Sequence, residues 1–188
     1  SGASRGEIAG SLNNLALTLS DMGRFQEALD DLERAIKDLG QELGNEHPLV
    51  ATFISNKGET LDRMGRHAEA RAAYQRAIAI EERAYGAEST NLAYPLTGLG
   101  ESYLAEHQPS EAIVPLERAQ RIRAAHEKDA ALLAETDFNL ARALWETNTT
   151  RDRALRLAGE ARAGYAHSAI SAARVAEIDR WLSSRTGS

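Results

Sequence analysis

The sequence has no cysteine and few residues that interrupt helices, with 4 Pro and 14 Gly among 188 residues. The lack of cysteine excludes disulfides, thiolate nucleophiles and Cys-ligated metal sites. No apolar run approaches the roughly 18 residues of a membrane-spanning helix, and the N-terminus does not resemble a signal peptide. These absences predict a cytoplasmic protein.

Charge of a single sign is also missing. The chain carries 28 acidic and 22 basic residues, a net charge of −6, and the two signs alternate along the sequence. Nucleic acids and anionic membranes bind basic stripes, so we expect neither as a partner. Aromatic residues make up only 5%, which favours an all-α core of Leu, Ile and Ala. The excess of Arg over Lys, 19 to 3, indicates a GC-rich bacterial genome.

The most informative pattern is a repeat with a period of 42 residues. Residues 22–36 read MGRFQEALDDLERAI, and residues 64–78 read MGRHAEARAAYQRAI. The same spacing leads to EHQPSEAIVPLERAQ at 106–120 and to NTTRDRALRLAGEAR at 148–162. The residues that recur suit packing and turns rather than chemistry. A repeated structural unit is therefore favoured over a duplicated catalytic motif.

Each unit has room for two helices, A and B. Helix A of the first unit has apolar residues at the i, i+3, i+4, i+7 spacing of one helix face: Leu12, Leu15, Ala16 and Leu19. One slot of helix A is always tiny, which predicts a close crossing by helix B: Ala16, Gly58, Gly100 and Ala141. The helix pairs are predicted at about 5–46, 47–88, 89–128 and 129–166, with a C-terminal capping helix at 167–185.

Turns separate the two helices of each unit. Gly23 and Gly65 suit a left-handed residue at the end of helix A, and His107 replaces them in the third unit. The fourth copy is displaced by one residue, so the turn between Glu146 and Arg151 is predicted to be one residue longer. No cap precedes the first pair, which predicts either a longer array or self-association through the uncapped N-terminal end.

These residues together resemble the tetratricopeptide repeat (TPR), which has a small residue in helix A, Gly in the turn and Ala-x₃-aromatic-or-Leu-x₂-Ala in helix B. Its usual period is about 34 residues. The longer spacing is similar to the variety found in kinesin light chains, with roughly one extra turn in each helix. The stretches that resemble this variety are NNLALTLSDMGRFQEAL, LGNEHPLVAT and AYPLTGLGESYL.

The resemblance covers residues 7–166 and implies a right-handed α-solenoid of stacked antiparallel helix pairs. HEAT and armadillo repeats, at about 40–47 residues, also fit the period. The turn Gly followed by Glu-Ala favours the TPR. The sequence of the third and fourth copies, including LLAETDFNLARALW, is also similar to TPR arrays that lie C-terminal to bacterial serine/threonine protein kinase domains, as in myxobacteria.

Several residues depart from the repeat. Lys57 and Asp137 replace apolar residues of the other copies, and Ala158 replaces Leu or Tyr, which predicts looser packing in the fourth pair. Pro95 and Pro115 fall inside helices of the third copy, and each removes a backbone hydrogen bond. We expect a kink there, or a helix that starts later.

The resemblance also implies a binding site, because the A helices of TPR arrays line a concave groove that receives a peptide or helix of a partner. The matching positions are Asn13, Asn14, Asn56, Glu59, Arg63, Tyr94, Thr97, Glu101, Phe138, Asn139, Arg142 and Trp145. Glu59 and Glu101 against Arg63 and Arg142 favour a mixed-charge or basic ligand over an acidic tail.

Two groups within this set have alternative readings. Asn14, Asn56 and Asn139 align, and their amides are suited to a peptide backbone, but they also suit hydrogen bonds at helix ends. Phe138 and Trp145 are predicted anchors for an apolar side chain. Alternatively, they pack against neighbouring helices where the array ends.

We therefore predict a non-catalytic protein-interaction module that binds a protein or peptide ligand. The alternatives are a regulatory or substrate-recruiting tail of a larger bacterial kinase, a self-associating scaffold, and an enzyme. An enzyme needs a cluster of titratable residues that these spacings do not provide, and the five histidines lack ligand spacing. Neither a cofactor nor a metal is expected.

Overall fold

The computed structural model describes residues 4–148, 150–166 and 171–186. Within this part of the chain there is one short 3₁₀ helix at Thr90–Leu92. The α-helices are α1 (Arg5–Asp21), α2 (Phe25–Leu43), α3 (Pro48–Arg63), α4 (His67–Tyr85), α5 (Ala93–Ala105), α6 (Pro109–His126), α7 (Ala130–Glu146), α8 (Arg151–Ala166) and α9 (Ala172–Thr186).

The helices form four pairs that stack in chain order. The A helices α1, α3, α5 and α7 pair with the B helices α2, α4, α6 and α8, and each B helix also contacts the next A helix. The described residues contain no strand, which confirms the predicted α-solenoid. None of the helices described combines the length and apolarity needed to cross a bilayer.

Local sequence determines where helices begin. Ser4 Oγ accepts a hydrogen bond from the backbone N–H of Glu7 at 3.1 Å, and the Glu7 carboxylate accepts from the Ser4 N–H at 2.7 Å. This capping box satisfies two backbone donors at the start of α1. At the start of α3, Pro48 follows His47, whose Nδ1 accepts from the Leu49 N–H at 3.1 Å.

The turns within pairs depend on residues with positive φ. Gly23 and Gly65 have φ of 77° and 75°, and His107 and Asn148 occupy the equivalent positions at 58° and 56°. His107 therefore adopts the left-handed conformation that glycine adopts in the first two pairs. The fourth connection, 147–150, is one residue longer than 22–24, 64–66 and 106–108, as predicted.

The two prolines of the third pair have different effects. Pro95 is the third residue of α5, where a missing N–H has no intrahelical partner to lose. A 3₁₀ turn precedes α5, which has 13 residues against 16 in α3, so this helix does start later. Pro115 lies inside α6, which nevertheless continues from Pro109 to His126.

The small slot of helix A makes room for a large residue of helix B. A Cβ at Gly58 would lie 2.8 Å from the Tyr74 ring, and Gly98 on α5 also lies too close to that ring to hold a Cβ. Gly100 likewise lies so close to the Leu116 side chain that there is no space for a Cβ. The predicted close crossing is confirmed at these positions.

The fourth pair is not packed more loosely, contrary to the prediction from Ala158. Ala141 and Ala158 are both completely buried. A Cβ at Gly164 on α8 would lie 2.9 Å from the Ala130 carbonyl oxygen on α7. Small residues on both helices therefore let α7 and α8 approach closely, which offsets the missing large side chain.

The C-terminal helix α9 packs on α8 and against the end of α7. Ile178 is completely buried, and Val175 and Leu182 are partly buried against the same apolar cluster. Of the capping helix predicted at 167–185, residues 167–170 lie outside the described residues. The helix occupies the place that helix A of a fifth repeat would take, because it follows α7 by the 42-residue period.

Candidate functional site

The A helices line the inner side of the stack. α1 approaches α3, α3 approaches α5 and α5 approaches α7, whereas no two B helices of the described residues come as close. A stack with closer spacing on one side curves toward that side, so the A helices form the concave face. The predicted site residues lie on these helices.

Amide side chains join A helices, but not in the predicted arrangement. Asn56 Nδ2 donates to Asn13 Oδ1 at 2.8 Å, and both side chains are buried. Asn139 is also buried and donates to Glu101 Oε1 at 2.6 Å, whereas Asn14 is exposed. The predicted row of three open amides is therefore absent, because Asn56 and Asn139 bond within the protein.

Arg63 connects α3 to the first helix pair. Its guanidinium donates to Ser20 Oγ and to Asp21 Oδ1, each at 3.0 Å. The same group lies over the Phe25 ring, 5.2 Å from its centroid. Arg63 thus fixes the junction between the first two pairs while remaining exposed at the edge of the concave face.

Tyr94 and Thr97 differ in accessibility although both lie on α5. The Tyr94 hydroxyl donates to the Glu59 carboxylate on α3, and the Tyr94 side chain is exposed. Thr97 is buried, with its Oγ1 3.0 Å from Thr136 Oγ1 on α7. Thr97 therefore supports packing between A helices and does not contribute to the surface.

The centre of the concave face contains a cleft of about 360 Å³. Four carboxylates from three consecutive A helices line it together with two guanidinium groups: Glu59, Asp62, Glu101, Glu135, Arg63 and Arg174. His67, Tyr74 and Ala105 complete the lining. Acidic groups outnumber basic groups in this cleft, which therefore favours cationic over anionic ligand groups.

Two carboxylates of the cleft, Glu101 and Asp62, hold protons more tightly than usual. Burial, followed by the negative charge of Glu135, raises the pKa of Glu101 to about 7. Burial also raises the pKa of Asp62, although hydrogen bonding to His67 opposes this. Crowded and partly desolvated carboxylates repel one another, and a cation placed among them would relieve that repulsion.

The two aromatic residues predicted as open anchors pack against α9. Phe138 is buried with its ring edge-on to Trp181, at a centroid separation of 5.8 Å. Trp145 is partly buried and also edge-on to Trp181, at 5.7 Å. Phe138 is thus a core residue and not an anchor, because α9 covers it. Trp145 keeps part of its surface accessible.

Arg142 precedes Trp145 by three residues on α7, and two further arginines lie over the Trp145 ring. Arg142 Nη1 lies 3.4 Å from Asn139 Oδ1. The guanidinium carbons of Arg151 and Arg185 lie 4.9 Å and 5.6 Å from the Trp145 ring centroid. We call this group the Arg–Trp cluster; it consists of Arg142, Trp145, Arg151, Trp181 and Arg185.

Some residues of the concave face were not predicted from the sequence. Glu135 occupies in the fourth repeat the slot that Tyr94 has in the third, so the period could have identified it. Trp181 follows Asn139 by 42 residues, and extending the repeat to a fifth copy would have found it. Asp62 and Arg174 carry no such signal, since only the docking of neighbouring helices brings them into the cleft.

One histidine forms an interaction of a kind that occurs in active sites. His67 Nδ1 lies 2.8 Å from Asp62 Oδ1. The nearby Ser102 hydroxyl donates to the His67 backbone carbonyl and not to its ring, so the His67 ring does not activate Ser102. Among the described residues, no three His, Asp or Glu side chains are placed to hold a metal ion.

Comparison with known proteins agrees with this geometry. The profile described as tetratricopeptide repeat matches residues 7–82 and 49–125, which together are more than half of the chain. This protein belongs to the tetratricopeptide repeat family. No curated protein matches the sequence.

Solved structures with the same architecture include BtubC (BKLC) from P. vanneervenii, which is 26% identical with a TM-score of 0.77 over 88% of this chain. The chain spans 66% of BtubC's length, which is less than two thirds. TPR-like repeats of a candidate kinesin light chain from Podospora anserina are 25% identical over 84% of this chain and 75% of that one, with a TM-score of 0.64. A single-substitution variant of those repeats, at 21% identity, covers 100% and 92% of the two chains with a TM-score of 0.77 and shows the fold alone.

Proposed function

We propose that this chain is a non-catalytic module that binds a peptide or helix of a partner protein on its concave face. TPR domains generally bind protein partners, which supports the class of function. The observation that carries the proposal is the central cleft, where carboxylates of α3, α5 and α7 converge in about 360 Å³. Its excess of acidic groups favours a basic or mixed-charge partner segment.

Charge reversal at Glu59 tests the proposal. The immobilised chain is used to capture partners from lysate, and the affinity of each captured protein is then measured with purified components. We expect Glu59→Lys to weaken binding at least about tenfold, as expected for loss of a charged contact. The matched control is Glu111→Lys at an exposed position of α6, a B helix. Equal binding by both variants would refute the concave site.

Self-association through the N-terminal end is a second proposal, supported by an exposed apolar row along α1 and its C-cap. Ile8, Leu15 and Met22 are 44%, 49% and 65% exposed. The equivalents of Ile8 in the next two repeats, Val50 and Leu92, are completely buried. Sedimentation of the wild type and of Leu15→Lys, which copies Lys57 of the second repeat, tests it. A concentration-independent monomer in both would refute it.

Association with a bacterial serine/threonine kinase stays a prediction from the sequence of the third and fourth copies. In that reading the array recruits substrates or restrains the kinase domain. The sequence encoded upstream of Ser1 tests it, because a kinase requires a Gly-rich loop and a His-Arg-Asp segment there.

A further inference from the structure

The Arg–Trp cluster lies at the C-terminal end of the concave face and has an excess of positive charge. None of its three arginines, Arg142, Arg151 and Arg185, forms an ion pair with a residue that the structure describes. Elsewhere in the described chain arginines commonly pair with carboxylates, as Arg63 does with Asp21 and Arg153 with Glu117. The positive charge of this cluster is therefore not compensated by a direct contact.

Arg185 is the member of the cluster that has a buried, unpaired donor. Its Nε is buried without a hydrogen-bond partner, while its Nη1 donates to the Trp181 carbonyl oxygen at 3.0 Å. Its guanidinium lies 4.2 Å from the Trp181 ring centroid. Burial lowers the pKa of Arg185, Glu146 opposes this, and the like charge of Arg142 lowers it further. An anion beside these arginines would relieve the repulsion.

We propose that the Arg–Trp cluster binds an anionic group, a carboxylate or a phosphate, on the partner segment held by the concave face. Guanidinium groups bind both oxyanions through paired charge-assisted hydrogen bonds. The indole rings of Trp145 and Trp181 exclude part of the solvent around the arginines and so strengthen such hydrogen bonds. This inference rests on the proposed function for the presence of a partner.

Asn139 connects the Arg–Trp cluster to the acidic cleft. Asn139 donates to Glu101 on the cleft side and lies within 3.4 Å of Arg142 on the other side. One partner segment could therefore place a basic side chain in the cleft and an acidic or phosphorylated side chain at the cluster. The partner expected from this arrangement carries both charges a few residues apart.

The test uses small probes and needs no identified partner. N-acetyl-glutamate methylamide and N-acetyl-phosphoserine methylamide are titrated at constant ionic strength, with N-acetyl-glutamine methylamide as the neutral comparison. The chain has only 2 Trp, Trp145 and Trp181, and both belong to the cluster, so indole fluorescence and indole N–H resonances report binding there. We expect at least one anionic probe to shift these signals and the neutral probe to leave them unchanged. Which anion binds more tightly identifies the source of the oxyanion.

Variants separate a specific site from general charge effects. Arg142→Gln and Arg185→Gln should each weaken probe binding about tenfold, since each removes a charge-assisted hydrogen bond. The control is Arg180→Gln, an exposed position on the same helix as Arg185, which should bind like the wild type. Circular dichroism verifies that each variant is folded.

Two results would overturn the inference. One is that neither anionic probe shifts the indole signals more than the neutral probe. The other is that Arg180→Gln weakens binding as much as Arg142→Gln and Arg185→Gln. If the probes fail while a captured partner still depends on Glu59, the inference fails and the proposed function stands.

Discussion

The junctions between successive helix pairs have an asparagine at an equivalent position, Asn56 or Asn139, but its partner differs in position and in chemistry. Between the first and second pairs, Asn13 and Asn56 form a neutral amide pair. Between the third and fourth pairs, Asn139 bonds to the carboxyl group of Glu101. The contrast extends to the apolar slot of helix A, where Ile54 of the second repeat corresponds to Asp137 of the fourth.

Asp137 is as buried as its apolar counterparts. It is 4% exposed, against 3% for Ile54, and its Oδ1 has no hydrogen-bond partner. Burial, followed by the negative charge of Glu160 on α8, raises the pKa of Asp137 to about 6, against opposing effects of Gln120 and Arg123 on α6. The repeat thus determines how deeply a position is buried, while the chemistry at that position varies. Glu101, whose pKa is raised to about 7, and Asp137 both lie in the C-terminal half.

The largest expected effect on the free energy of unfolding tests whether the N-terminal and C-terminal halves share one packing unit. Leu32 on α2 and Leu116 on α6 occupy the same helix B slot, and both are completely buried. We expect Leu32→Ala and Leu116→Ala each to lower the free energy of unfolding by about 2–5 kcal/mol. Urea denaturation followed by helical circular dichroism measures this. A large loss at one position and none at the other would contradict a common packing unit.

The next prediction concerns the difference at Asp137. The folded state binds the Asp137 proton more tightly than the unfolded chain does, so this residue's destabilising effect is full above about pH 6 and fades as pH falls toward about 4. Asp137→Leu should raise the free energy of unfolding by about 1–3 kcal/mol at about pH 8, and by less at about pH 5.

The control for this prediction is Asp152→Leu, in the exposed first turn of α8, which should not raise the free energy of unfolding. Urea denaturation at both pH values measures the difference between each variant and the wild type. If Asp137→Leu gave the same gain at both pH values, the effect would come from apolar packing and not from proton binding.

The smallest expected effect on the free energy of unfolding is at the neutral amide pair of Asn13 and Asn56. Asn56→Ala leaves Asn13 Oδ1 buried without its donor and should cost about 1–2 kcal/mol of unfolding free energy. Asn14→Ala at the neighbouring exposed position should change it by less than about 0.5 kcal/mol. Thermal unfolding of both variants, with Asn13→Ala/Asn56→Ala as the double variant, measures the pair. Additive losses in the double variant would show that the two amides do not interact.

The sequence predicted the architecture well because packing and turn residues carry the repeat. The small slot at Gly58, the later start of α5 after Pro95 and the longer turn at 147–150 all follow from steric rules that act within a few residues. These rules depend little on what the neighbouring repeats contain.

The site was harder to predict, because side-chain direction on a helix changes from one residue to the next. An alignment error of one residue therefore assigns the wrong contact. The 42-residue alignment matched Asn56 with Asn14, but its partner is Asn13. Phe138 was predicted to be open because Trp181, which covers it, lies on a helix that was interpreted as a cap outside the repeat. The clustering of Arg142, Arg151 and Arg185 likewise requires three helices to be docked before it can be seen.

The Tyr74 ring, which leaves no room for a Cβ at Gly58 or Gly98, has a consequence for how this protein can change over evolutionary time. Either glycine could gain a methyl group only if the ring became smaller, as with Leu32 opposite Ala16 in the first repeat. We therefore expect related sequences to show correlated substitutions at these three positions, with glycines retained wherever an aromatic residue is present. Such covariation would show that two adjacent repeats evolve together because their side chains are in contact.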